Sequence, residues 1–196
     1  MARHKISLNP FSAKSILEVQ KQLTEYKKEL AEKCKTFVEE LAKVGIETAQ
    51  RNTGQFGKFI TFKTEVEPKK YGCKAVMVAS NTGLIKSEWY VNDNGDIKSA
   101  DVSPILMAEF GSGLMANNPR ATEFGMGTGT FPGQTHAEDP GGWWYAPVTK
   151  SDGSPNDDMA HLEWHHSEGV TPTMPMTRAS AEMFDKIQSV AKRVFG

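Results

Sequence analysis

The chain of 196 residues is 38% hydrophobic and 24% charged, enough for one domain with a sizeable core. Its 23 basic side chains nearly cancel 24 acidic ones, for a formal net charge of −1, which provides no cationic excess for a sequence-independent hold on phosphate backbones. Cys34 and Cys73 lack any C-x-x-C spacing, and no stretch approaches ~18 consecutive apolar residues, so disulfides, thiolate metal sites and membrane spans are not expected.

Arg3, His4 and Lys5 near the N-terminus have no apolar segment behind them, so the expectation is a protein folded in a cytosol, with both cysteines as small buried hydrophobes. From Phe11 to about Asn52 the residues Leu23, Tyr26, Leu30, Cys34, Phe37, Leu41 and Val44 recur at steps of three and four. That spacing predicts one long helix, capped by Asn9 or Ser12 with Pro10 in its first turn and with a weak point or break at Gly45. Lys58 to Val66 alternates, with Ile60, Phe62, Thr64 and Val66 on one side, and predicts a strand. After the turn residues Glu67 to Gly72, the run Cys73 to Ser80 predicts the second strand of a hairpin. Leu84 to Val91 reads as a third strand closed by the turn cluster Asn92 to Gly95. Val102 to Phe110 is apolar but too short to assign between helix and strand.

Between Gly111 and Gly169 glycine and proline accumulate, periodicity is lost, and Trp143, Trp144, Tyr145 and Trp164 punctuate polar sequence. Such aromatics need a surface to lie on, so this stretch is expected to be an extended loop making interfaces, not a disordered linker. Ala179, Met183, Ile187, Val190 and Val194 then mark a closing helix. The predicted fold is α+β: a long N-terminal helix and a C-terminal helix on one face of a small, mainly antiparallel sheet. A single domain spans residues 1–196, with an excursion at about 112–170.

Several clusters invite chemistry. His161, Glu163, His165 and His166 are metal-ligating types, but the spacing His-x-Glu-x-His-His does not match H-E-x-x-H on a helix, and polar interface positions are favoured. Asp152, Asp157 and Asp158 lack the alternation and terminal glutamate of a calcium loop. Gly125 to Gly129 is glycine-rich without a preceding strand or a following G-K-[ST]. Ser112, between two glycines, lacks the flanks of a nucleophile elbow. Trp143-Trp144-Tyr145 has no basic surround for stacking bases. The pairs Lys27-Lys28, Lys69-Lys70 and Lys192-Arg193 read as solvated surface. No catalytic residue, metal or cofactor is assigned.

Three segments nevertheless carry a resemblance. The long helix ends in Asn52-Thr53-Gly54 before the strands begin. Met107-Ala108-Glu109-Phe110-Gly111-Ser112-Gly113 combines an apolar run with Glu, an aromatic and glycines. Gly169 to Ala179 brings Pro172, Pro175 and Arg178 to the start of the last helix. In this order they resemble the tail-completion, or minor tail component, proteins of the head-to-tail joining region in long-tailed bacteriophages. Met176 departs from the phenylalanine common in that family, and the loop before the last helix is longer than in compact members.

The resemblance implies a structural virion protein of the neck, assembled in the host bacterial cytoplasm, with no enzymatic activity. It implies a ring of identical subunits, six as the working number, whose partners are head connector or adaptor proteins and the tail terminator or tail tube. DNA would pass through the channel without specific binding. A tail terminator capping the tube is the alternative in the same class; a metal-dependent hydrolase built on His161 to His166 is the alternative in another. On physical grounds Gly111 suits a sharp end to a buried element through a positive φ, Pro172 and Pro175 stiffen the approach to the final helix, and Arg178 is expected to fork onto Glu109.

Overall fold

Helix α1, Ala13–Arg51, begins where the Ser12 side chain accepts a hydrogen bond from the Ser15 amide at 3.4 Å. It ends where the Asn52 amide group donates to the Thr48 carbonyl at 2.7 Å. Pro10 lies before the cap, not in the first turn. The computed structural model describes residues 9–70, 72–82, 86–91, 94–113, 115–116, 118–120, 123, 142–150, 152 and 154–196.

Contrary to the expected break, α1 runs unbroken through Gly45. A β-carbon there would stand 2.6 Å from Met183 Sδ and 3.2 Å from Met77 Sδ. The glycine costs about 1 kcal/mol in helix propensity; what it supplies is close approach of the final helix and a strand to α1.

A short 3-10 helix, Gly54–Phe59, takes up Lys58 and Phe59, so the first strand starts later than the alternation suggested. Strands β1, Ile60–Lys69, and β2, Gly72–Asn81, form an antiparallel hairpin in register from Ile60↔Asn81 to Lys69↔Gly72. Ile60, Phe62, Thr64 and Val66 are its more buried positions, as their alternation requires. Strands β3, Lys86–Val91, and β4, Ile97–Val102, follow, and then helix α2, Pro104–Phe110, which settles the ambiguous apolar run as helix. Pro104 opens α2, and Gly111 at φ 78° closes it by donating its N–H to the Met107 carbonyl at 2.9 Å.

Among the described residues, the stretch expected to be a loop contains four strands: β5, Ser112–Gly113, β6, Trp143–Pro147, β7, His165–Ser167, and β8, Gly169–Val170. Residues 124–141, with the Gly125 to Gly129 run, lie outside the described residues. Among the described residues the strands therefore divide into three small antiparallel sheets, β1-β2, β4-β3-β6-β7 and β5-β8, where a single sheet was expected. Helix α3, Pro175–Phe195, packs along α1, and α1 lies against β1 and β2. The fold class is α+β as predicted. A core of Phe56, Ile60, Met107 and Ala108, flanked by Phe62, Val102, Ile105 and Val170, ties the hairpin to α2. Among the described residues no helix is long and apolar enough to cross a membrane.

Candidate functional site

The segments around Glu109 and Arg178, distant in sequence, meet in one junction. Ser112 pairs with Val170 and Gly113 with Gly169 in the β5-β8 ladder. Gly169, at φ 118°, passes so close that a β-carbon would stand 2.1 Å from the Ser112 carbonyl oxygen. The amides of Thr173 and Met174 both donate to the Ala108 carbonyl at 2.9 Å. Met174 takes a left-handed turn at φ 56° to bring the chain into α3, and its side chain caps nothing.

Glu109 supplies the missing cap from α2. Only 6% exposed, its carboxylate accepts from the Met176 amide at 2.8 Å, from the Thr177 amide at 3.0 Å and from the Thr177 hydroxyl. Buried Asn118 donates through Nδ2 to the Glu109 backbone carbonyl at 2.8 Å and leans on its carboxylate at 3.4 Å. A buried carboxylate is costly unless hydrogen-bonded; here the free N–H groups and positive end of a 21-residue helix receive it. The expected fork of Arg178 onto Glu109 does not form. Arg178 is exposed, and its Nε donates to the Thr173 carbonyl at 3.0 Å, bracing the turn instead. Glu109 is engaged instead by the amides of Met176 and Thr177 and by the Thr177 hydroxyl. Phe110 and Pro175 are buried beside this junction.

The sequence reading reached Glu109, Phe110, Gly111, Pro175 and Arg178 but missed Asn118 and Thr177. Thr177 stood in the first turn of a predicted helix, where a hydroxyl beside free amides is a signal. Asn118 lay in sequence without periodicity and carried none.

The aromatic residues divide by strand alternation. Trp143 and Tyr145 line a cavity of about 280 Å³ with Phe56, Phe59, Glu88 and Met107. The Trp143 ring also covers Gly113, whose β-carbon would meet it at 2.6 Å. Trp144 points the other way, is 54% exposed, and lies 5.1 Å from the His166 ring across the β6-β7 pair. Trp164 is half-buried. One predicted interface patch is thus two surfaces, of which only the Trp144 side faces outward.

His165 neighbours Tyr145 at 5.7 Å while His166 neighbours Trp144, so the two imidazoles occupy opposite faces of β7. His161 Nδ1 is 2.9 Å from Asp158 Oδ2 in an exposed turn. Among the described residues no three His, Cys, Asp or Glu side chains are gathered to share an ion. Asp152 accepts from the Ser154 hydroxyl at 2.6 Å and its amide at 2.9 Å. Those bonds, the hydroxyl's foremost, hold its carboxyl below the usual range and make it a turn residue. Cys34 and Cys73 are unbridged and half-buried. Ser112 is buried, and its hydroxyl accepts from the Val170 amide at 3.1 Å, a ladder contact. Compared with known proteins, the chain matches no family model, no curated protein and no solved structure.

Proposed function

We propose that this protein is a non-enzymatic ring subunit of the neck of a long-tailed bacteriophage, completing the tail at the head-to-tail joint. The observation that supports this most is the Glu109 junction. The two later segments that carry the resemblance, Met107 to Gly113 and Gly169 to Ala179, form one structural unit, in which the acidic residue of the first caps the helix opened by the second. That gives their residue types and order a single physical reason. The same geometry makes Glu109 an assembly element of the fold: its oxygens are engaged by backbone amides, a hydroxyl and Asn118, leaving it poorly placed to exchange protons with a substrate. The outward Trp144 and His166 surface suits contact with a neighbouring subunit or ring.

In the phage encoding this chain, deleting its gene is expected to leave DNA-filled heads and finished tails unjoined, and antibodies against the protein are expected to label the neck of normal particles. Joined, infectious particles from the deletion would refute the assignment.

A further inference from the structure

Three elements cross at a point where α1 has no side chain. At Gly45 the helix offers only its backbone, and a β-carbon there would lie 2.6 Å from Met183 Sδ on α3 and 3.2 Å from Met77 Sδ on β2. Two thioethers therefore rest on one spot of α1, one from each neighbouring element. Unbranched, polarizable side chains fill such an irregular gap well. Their seat on Gly45 is common to the pairing of α1 with α3 and the packing of β2 on α1.

The same two side chains also face a groove. It encloses about 320 Å³ between α1, β2 and α3 and is lined by Met77 and Met183 together with Leu41, Ala75, Phe184 and Ile187. Phe184, one of its walls, is 76% exposed, and both methionines are half-buried. Met107, by contrast, is 8% exposed in the core, while Met115 and Met159, at 42%, lie on the surface. The groove readily admits a molecule the size of water or hydrogen peroxide. At Gly45 a sulfur is thus both reachable and structural.

We propose that Met77 and Met183 form a peroxide-sensitive modification site whose oxidation loosens the hold of α3 and β2 on α1. A thioether lone pair attacks one oxygen of hydrogen peroxide, and the S–O bond forms as the O–O bond breaks. Sulfur gives up two electrons, and the departing hydroxide takes the proton of the transferred hydroxyl and leaves as water. The product sulfoxide is a polar acceptor set in a mainly apolar wall. It gains by turning through the groove toward solvent, and its sulfur then leaves the seat on Gly45, where glycine has nothing to fill the void. Methionine sulfoxide is enzymatically reducible, so the change can be undone. The inference is independent of the neck reading.

The test treats the full-length protein with graded doses of hydrogen peroxide. Peptide mass spectrometry gives the sulfoxide occupancy at each methionine, and circular dichroism gives Tm. The comparison is Met77→Leu with Met183→Leu, which keeps size and apolarity and leaves every other methionine and both cysteines in place. Wild-type Tm should fall by roughly 5 °C as Met77 and Met183 gain oxygen, and not as Met115 and Met159 do. At the same dose the double variant should lose less than about 1 °C. The proposal is overturned by a wild-type loss that tracks Met115 and Met159, by an unchanged Tm with both groove methionines oxidised, or by a variant that loses as much as the wild type. It is overturned equally if Met77 and Met183 stay unmodified at doses that convert the exposed pair. Should the variant not fold, the wild-type dose series decides alone.

Discussion

Glu109 places a carboxylate where water scarcely reaches, and it is tolerated because the first turn of α3 offers amides with no partner of their own. Hydrogen bonds to a charged group contribute roughly 1.5–3 kcal/mol, and leaving the buried partners unsatisfied costs about as much. Glu109→Ala should therefore lower unfolding free energy by about 3 kcal/mol, while Arg178→Ala, which removes one exposed donor, should cost about 1 kcal/mol or less. Urea denaturation of both variants checks this; equal losses would restore the ion pair that the geometry denies. The tryptophans differ in the same way. Trp143, covering Gly113 and walling the inner cavity, should cost about 2–3 kcal/mol when cut to alanine. Trp144→Ala should leave stability within about 0.5 kcal/mol yet weaken assembly, read by thermal melts and by sedimentation.

Among the elements, the contact of α1 with α3 turns on Gly45. Gly45→Leu gains about 1 kcal/mol of helix propensity, but the added side chain meets Met183 and Met77, and overpacking costs typically 1–3 kcal/mol. The whole protein should lose about 1 kcal/mol while a peptide of residues 13–51 gains helicity, by denaturation and circular dichroism respectively. A stabilised protein would mean that the two helices do not need that close approach. Both long helices and the first hairpin were legible in the sequence because their apolar spacing is set by their own geometry. The same spacing in α1 also misled: glycine reads as a break, yet here it answers to a neighbour far along the chain. Strands β4 to β8 escaped notice because Ile97 to Val102 is half polar and Ser112-Gly113 and Gly169-Val170 are two residues each, strands only through their partners. Of the site, the residue types were legible, but the pairing was not: which donor reaches Glu109 depends on the turn at Met174.

On the proposed reading, the whole molecule should offer a duplex no strong electrostatic grip. With charges that cancel to −1 and basic residues in short pairs, few phosphates can be neutralised together, and what binding exists should fall steeply with salt. Purified protein is expected to show no retention of duplex DNA at physiological ionic strength in an anisotropy titration; salt-resistant, submicromolar binding would contradict the proposed passive conduit. Assembly is where the account is most exposed, because the proposed ring assigns the outward Trp144 to a contact with a neighbouring subunit. Electron microscopy of the purified full-length protein, with native mass spectrometry of the same sample, reads this directly. The account predicts closed rings of one subunit number around an open channel; a uniform population of monomers, or of two-fold dimers without a channel, would contradict it.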